Sequence, residues 1–243
     1  MAGEVVAGGK QTRTVRKDVV LAPGQRIELD VFCVEAQRWA GQKQFSAAKA
    51  LVPQSIQKEL RKGADQQRVW SEVARNNAAL KAENATGSLE RALKSKDVEQ
   101  KLAKVRETIV PKIPRGTVGF IFVDGRRAVG ADFFGNEAIA RELLPKLLDS
   151  YAVDLVLLRP SGASVRRADH GAAIDFFERI CRVGSRRDGT PGSGAGIRTR
   201  GDRLLGDGVS LGGQVVHYGV QVEDRIVPKP EPRPIYPLQQ RLR

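Results

Sequence analysis

Residues 118–134 read VGFIFVDGRRAVGADFF and form the clearest local structure in the chain. Two strand-like runs, 118–123 and 126–134, flank Asp124-Gly125, a pair preferred in two-residue hairpin turns. The first run is apolar at both parities, which is typical of a central strand covered on both faces. The segment therefore predicts a β-hairpin in the middle of the fold.

Helical patterns lie on both sides of this hairpin. In residues 53–109 apolar side chains recur at steps of three and four, and Pro111 and Pro114 end the pattern. After the hairpin, Asn136 is placed to cap a helix that contains Pro145, where we expect a kink or a split. A further helix should bury Ala173, Phe176, Phe177 and Ile180.

Strand-like segments occupy both ends of the chain. Residues 15–21 and 27–34 are joined by Ala22-Pro23-Gly24-Gln25, which fits a type II turn. Short strands are expected at 197–199, 203–205 and 213–218. We expect an α+β fold in which the N- and C-terminal strands and the central hairpin form one mostly antiparallel sheet, packed against the helical block. His217 should then lie near the N-terminal polar residues.

The domain organisation expected from these patterns is simple. Residues 1–222 should form a single α+β domain, with a helical insertion at about 53–110 and a Gly/Arg-rich loop at about 185–196. Residues 223–243 are proline-rich and are expected to be a disordered tail.

The composition favours anionic partners. There are 41 Lys and Arg against 28 Asp and Glu, which gives a net charge of +13. This charge suits a phosphorylated metabolite, a nucleic acid or an acidic protein, although a basic proteome would also explain it. Two cysteines, the lack of an apolar run of about 18 residues and the lack of a secretory signal predict a cytoplasmic protein without disulfides or membrane contact.

Two polar clusters near the N-terminus predict a site. The first is Gly8-Gly9-Lys10-Gln11-Thr12-Arg13, and the second is Cys33-Val34-Glu35-Ala36-Gln37-Arg38-Trp39. Glycines let backbone N–H groups approach an anion, while lysine and arginine supply charge. The alternative for the first cluster is a glycine bulge beside an exposed strand.

The second cluster contains groups suited to a nucleotide. An adenine ring could stack on Trp39 while its phosphates contact Arg38, Arg13 and Lys10. The alternative is an internal ion pair of Glu35 with Arg38 or Arg13, and Trp39 as a core residue. Cys33 is interpreted mainly as a small buried apolar residue, although a Cys33–His217 nucleophile pair is conceivable. No metal ligands are predicted.

The order of several motifs resembles a bacterial domain family of uncharacterised function, named for its association with ADP-ribosylglycohydrolase and rhodanese-phosphatase proteins. The resemblance covers about residues 3–220 and includes a Gln67-x-x-Trp70-x-x-Val73 motif and a closing Val215-Val216-His217. It implies a role in NAD- or ADP-ribose-linked metabolism. Family members usually carry a region ahead of Gly3-Glu4, so the chain is expected to be N-terminally shortened.

Two functions are therefore predicted. The sequence assigns no cofactor, and it does not decide whether the protein is an enzyme. The first is binding or processing of a nucleotide or ADP-ribose-type ligand, with Glu35 and His217 as catalytic residues. The second is a non-catalytic basic module that docks an acidic protein or nucleic acid. The ligand-binding residues expected for the first function are Lys10, Gln11, Arg13, Arg38 and Trp39.

Overall fold

A computed structural model describes residues 1–39, 41, 44–159 and 166–223, and it divides the strands between two antiparallel sheets. The small sheet has the order β3-β2-β1-β4, and the large sheet has the order β5-β6-β10-β9-β8-β7. The strands are β1 Glu4–Gly8, β2 Arg13–Val15, β3 Val31–Cys33, β4 Phe45–Leu51, β5 Gly119–Asp124, β6 Arg127–Phe134, β7 Arg186–Asp188, β8 Ala195–Gly201, β9 Leu204–Leu211 and β10 Gln214–Val222. The α+β class is confirmed.

The predicted helical block forms four helices that cover the small sheet. They are α1 Gln54–Lys62, α2 Gln66–Ala79, α3 Leu89–Leu93 and α4 Lys96–Ile109, followed by a 3₁₀ turn Val110–Lys112. Asp65 and Ser88 cap the starts of α2 and α3 with their side chains, as these residue types do at helix N-termini. One apolar core joins Val5 and Val34 of the small-sheet region to Ile56, Val69 and Leu102 of the helices.

The central hairpin is confirmed, with two corrections. Asp124 pairs with Arg127, so the turn consists of Gly125 and Arg126, one residue later than predicted. Gly125 has φ 62°, the positive value that the first central position of a type II′ turn requires. Strand β5 lies at the edge of the large sheet and not in its centre, and its residues are only partly buried. Strand β6 takes the interior position.

Two further helices, α5 Glu137–Ala152 and α6 His170–Val183, lie on opposite faces of the large sheet. On one face Phe134 packs with Leu147 and Tyr151 of α5, and on the other Ala131 and Val220 pack with helix α6. Asn136 caps α5 as predicted, but α5 runs through Pro145 without a split. A π-helical turn, Val153–Leu157, follows α5. Of the face predicted for α6, Phe176 and Ile180 are buried, whereas Phe177 is exposed.

The prediction of one sheet from both chain ends is wrong. Strand β4, which the sequence patterns did not indicate, pairs with β1, and β6 takes the place beside β10. The two sheets are instead joined by residues 16–30, here called the arm. The arm makes the predicted type II turn, in which Gly24 has φ 76° and the Gln25 N–H donates to the Ala22 carbonyl at 3.0 Å.

The arm reaches the large sheet at its β7–β8 end. The Ser193 N–H donates to the Val20 carbonyl at 2.8 Å, and Val20 forms isolated bridges with Gly192 and Ser193. Strand β7 begins within the predicted Gly/Arg-rich loop. Residues 224–243, which make up all but the first residue of the predicted tail, lie outside the described residues. No helix in the described ranges has the length and apolar character needed to cross a bilayer.

The contact between the arm and the large sheet should be sensitive to one methyl group. Gly192 has φ 84°, and a Cβ there would lie 2.4 Å from the Val20 carbonyl oxygen. Gly192→Ala should therefore lower the free energy of unfolding by roughly 2 kcal/mol or more. Gly189→Ala is the matched control, because a Cβ at that position meets nothing within 4 Å. Denaturant unfolding of both variants measures the difference, and equal stabilities would contradict this account of the arm.

Candidate functional site

The two N-terminal polar clusters are neighbours in the small sheet. Arg13 of β2 is the register partner of Cys33 in β3, and the Val34 N–H donates to the Thr12 carbonyl at 2.9 Å. The Gln66 side chain covers the free edge of β3, since it bonds both the N–H and the carbonyl of Cys33. The end of β3 and the β1–β2 turn are thus fixed against each other.

Glu35 is a buried carboxylate that hydrogen-bonds groups from both N-terminal clusters. Its side chain is 1% exposed, and both carboxylate oxygens accept hydrogen bonds. Oε2 accepts from the Thr12 N–H at 3.0 Å and the Thr12 hydroxyl at 3.1 Å, and Oε1 accepts from the Thr86 hydroxyl at 2.7 Å. Burial raises the pKa of Glu35, but these bonds and the Arg38 guanidinium outweigh it, so the pKa is lowered. A carboxylate with this many donors is a poor general base.

Arg38 connects the second cluster to the first. Its Nε and Nη2 lie 2.9 and 2.8 Å from Glu35 Oε2, and its Nη1 donates to the Gly9 carbonyl at 3.1 Å. The hydrogen bond to Glu35 raises the pKa of Arg38. The internal Glu35–Arg38 ion pair, one of the two interpretations of the sequence, is therefore present. The Arg38 side chain remains 24% exposed, so part of the guanidinium faces solvent.

Two aromatic rings are exposed near this ion pair. Trp39 is 58% exposed and Phe45 is 44% exposed, and the Arg13 guanidinium lies 4.9 Å from the centre of the Phe45 ring. Lys10 is also exposed. The interpretation of Trp39 as a core residue is wrong. The indole of Trp39, the residue after Arg38, lies outside the core.

Gln11 and Cys33 are less accessible than a ligand-binding role would require. Gln11 is buried, and its Nε2 has no hydrogen-bond partner among the described residues. Cys33 is half-buried, and burial raises the pKa of its thiol although Arg13 acts in the opposite direction. A thiol with a raised pKa is a weak nucleophile at neutral pH.

His217 belongs to a different cluster, on strand β10. It is 5% exposed, its Nδ1 lies 2.6 Å from Asp18 Oδ2, and its Nε2 lies 3.1 Å from Asp132 Oδ1. Because two aspartates occupy both ring nitrogens, neither nitrogen is directed at Glu35 or Cys33. The expected pairing of His217 with the N-terminal clusters is not formed, since β10 lies in the other sheet.

The His217 cluster contains three residues that the sequence analysis missed. The Tyr151 hydroxyl donates to Asp132 Oδ2 at 2.9 Å, and the Ala2 N–H donates to Asp18 Oδ1 at 2.7 Å. Asp18, Asp132 and Tyr151 are all buried. The one signal in the sequence was Asp132, a charged residue inside the apolar run of β6. The cluster ties the arm, β6, β10 and α5 together, which is a structural role.

The electrostatics of this cluster predict a pH dependence of stability. Burial lowers the pKa of His217, but Asp18 and Asp132 outweigh it and raise the pKa from 6.5 to about 9. The folded state therefore holds a proton that the unfolded state loses above pH 6.5. This stabilisation, roughly 3 kcal/mol, is complete below pH 6.5 and is lost as the pH rises through 9.

Denaturant unfolding between pH 6 and 10 measures this loss. Wild type and His170→Gln, which changes the exposed second histidine, should both lose stability across the interval. His217→Gln should be less stable at pH 6, with a smaller decline toward pH 9. A wild-type stability that is constant or rises from pH 6.5 to 9 contradicts the charged-histidine account.

Comparison with known proteins assigns the chain to a family. The model of the ARG and Rhodanese-Phosphatase-superfamily-associated Protein domain matches residues 1–220, which include both clusters described above and both sheets except the last two residues of β10. No curated protein and no solved structure shows a significant match. The resemblance drawn from the sequence motifs is confirmed. The chain belongs to the ARG and Rhodanese-Phosphatase-superfamily-associated Protein domain family.

Proposed function

We propose that this domain binds an anionic ligand of the nucleotide or ADP-ribose class at the surface formed by Lys10, Arg13, Arg38 and Trp39, here called the N-terminal face. The observation that carries the proposal is the pair Arg38–Trp39. The guanidinium of Arg38 is fixed by a buried carboxylate, and the next residue presents an indole that is 58% exposed. A fixed cation beside an accessible aromatic ring suits a phosphate joined to a base.

The surroundings of this pair support the same ligand class. Arg13 and Lys10 add positive charge, and Phe45 adds a second exposed ring. Gly9 has φ 57° and its position is closely packed, since a Cβ there would lie 2.3 Å from the Phe45 ring. Because Gly9 has no Cβ, the ring of Phe45 lies against the backbone of the β1–β2 turn. The turn and the exposed ring therefore belong to the same surface.

The roles proposed for individual residues change accordingly. Glu35 acts in this proposal as a positioning residue that orients Arg38, because its burial and its donors leave it no accessible lone pair for a substrate proton. Gln11, which is buried, would support the turn from within. His217 remains outside the N-terminal face. The proposal therefore concerns binding, with Trp39, Arg38, Arg13 and Lys10 as the contacting residues.

Tryptophan fluorescence tests the proposal directly. Trp70→Phe leaves Trp39 as the only tryptophan, because the chain has two. Stacking of a base on Trp39 should quench this emission saturably on titration with ADP-ribose, NAD or AMP. Arg38→Lys should weaken binding by about tenfold, since a lysine cannot contact Glu35 and Gly9 together in the geometry of a guanidinium. Arg68→Lys, on the exposed face of α2, is the control.

Failure of all three ligands to quench Trp39 or to give heat in calorimetry at millimolar concentration would defeat the proposal. The basic docking module gives a different pattern in the same experiments. The affinity of such a module for polyanions would fall steeply with salt concentration, and the Trp39→Ala substitution would leave that affinity unchanged.

Trp39→Ala separates binding from stability. A side chain that is 58% exposed contributes little to the core, so the free energy of unfolding should change by less than about 1 kcal/mol while binding is lost. Removal of a buried tryptophan would instead cost about 3–5 kcal/mol. Thermal denaturation and calorimetry on this variant provide both numbers, and a large loss of stability contradicts the binding role.

A further inference from the structure

A second candidate site lies at the C-terminal end of β4, whereas the β1–β2 turn lies near its start. It is a cavity of about 480 Å³ between β4, α3, α4 and α5. This volume lies within the range of cavities that hold small molecules. Its wall includes Leu51, Leu93, Leu102 and Val153, four buried side chains of the core, so the cavity reaches apolar surface directly.

The charged residues of this cavity leave one positive charge uncompensated. Lys94 pairs with Glu90 at 2.7 Å, and Lys146 pairs with Glu4. Lys49, which also lines the cavity, is exposed and has no hydrogen-bond or ion-pair partner within the described part of the chain. One wall therefore presents a free ammonium group.

Another part of the wall carries an uncompensated negative charge. Arg106 contacts two carboxylates, Asp149 at 2.5 Å and Glu99 at 2.8 Å, so one cation faces two anions. Asp149 Oδ1 is buried and accepts no hydrogen bond. Burial raises the pKa of Asp149 although Arg106 opposes the shift, as expected for a carboxylate with too few donors. Oδ1 itself is closed to solvent, but the Asp149 side chain is 24% exposed and that of Glu99 is 53% exposed, so a ligand can reach the two carboxylates that share Arg106.

The backbone at Lys49 is strained. Lys49 has φ 56°, a left-handed conformation that is unfavourable for a residue other than glycine. It lies in an irregularity of β4: Glu4 and Val6 of β1 pair with Leu51 and Ala47, so β4 holds two extra residues over this interval. Bulges of this kind redirect side chains, and strained residues cluster at ligand-binding sites. The residues of this irregularity, Ala48 to Leu51, all line the cavity.

We propose that this cavity binds a small zwitterion with an apolar body, of the class of a dipeptide. The ligand carboxylate would pair with Lys49, its ammonium group would donate to Asp149, and its apolar side chains would cover Leu93 and Leu102. A free cation, two accessible carboxylates that share one arginine, and an apolar floor are the three features that such a ligand complements. This site is independent of the N-terminal face.

Calorimetry with a series of matched dipeptides tests each feature on the wild-type protein. Leucyl-leucine should bind saturably. N-acetyl-leucyl-leucine lacks the ammonium group, leucyl-leucine amide lacks the carboxylate, and glycyl-glycine lacks the apolar body. Each of the three should bind at least about tenfold more weakly, because the first two lose a hydrogen bond to a charged group and glycyl-glycine loses the burial of apolar side chains.

Two variants assign the ends of the ligand. With Lys49→Gln, leucyl-leucine and its amide should bind equally, and with Asp149→Asn, leucyl-leucine and its N-acetyl form should bind equally. Lys101→Gln is the control, because Lys101 pairs with Asp97 on α4 and does not line the cavity. Absence of saturable binding of leucyl-leucine at millimolar concentration overturns the proposal. So does binding that neither end modification nor either cavity variant weakens.

Discussion

The contact of His217 with Asp18 and Asp132 is the interaction on which the arrangement of the two sheets depends. Two buried carboxylates would repel each other and would be costly to desolvate without a cation between them. A protonated imidazole supplies that cation and a donor in each direction. Asp18 belongs to the arm, Asp132 to β6 and His217 to β10. One side chain therefore fixes three segments that are distant in sequence.

The N-terminal face is built outward from this constraint. The arm continues into β2 and β3, and these strands carry Thr12 and Glu35 to the same buried point. Glu35 then fixes Arg38, which bonds the Gly9 carbonyl of the neighbouring turn. Both the His217 cluster and Glu35 therefore pair buried carboxylates with a cation, but they differ in whether solvent reaches that cation. The aspartates around His217 are enclosed on all sides, whereas Glu35 lies under a surface and holds a cation that solvent still reaches.

Local features of this fold were predictable because they depend on few neighbouring residues. The β5–β6 hairpin, the Asn136 cap and the turn at Gly24 each follow from φ preferences or from one side-chain contact. Strand β4 was missed because its sequence FSAAKAL is mostly exposed and lacks a clear alternation. A sequence pattern without β4 leaves the terminal strands only each other as partners, and it therefore predicts a single sheet where the structure has two.

The candidate site was predictable in part for the same reason. Adjacency of the clusters follows from the short β2–β3 pairing, and the Glu35–Arg38 bond follows from a spacing of three residues. The position of His217 depends on which sheet receives β10, and Trp39 exposure depends on where the chain turns after Arg38. The periodicity of the sequence indicates neither the sheet that receives β10 nor the exposure of Trp39. The ion pair of Arg106 with Asp149 likewise exists only because α4 packs against α5.

Strand β4 connects the two proposed sites through one short segment. Phe45, at its start, pairs with Gly8 and presents its ring beside Arg13, while Lys49–Leu51 line the cavity. The two extra residues between Ala47 and Leu51 separate the two proposed sites. They interrupt the regular β1–β4 pairing, which holds Phe45 opposite Gly8. An edge strand that bulges and carries a strained lysine is also a poor template for pairing with another chain. The same irregularity thus interrupts the exposed sheet edge and places its residues along the cavity, so one local departure from regular pairing serves both the edge and the proposed site.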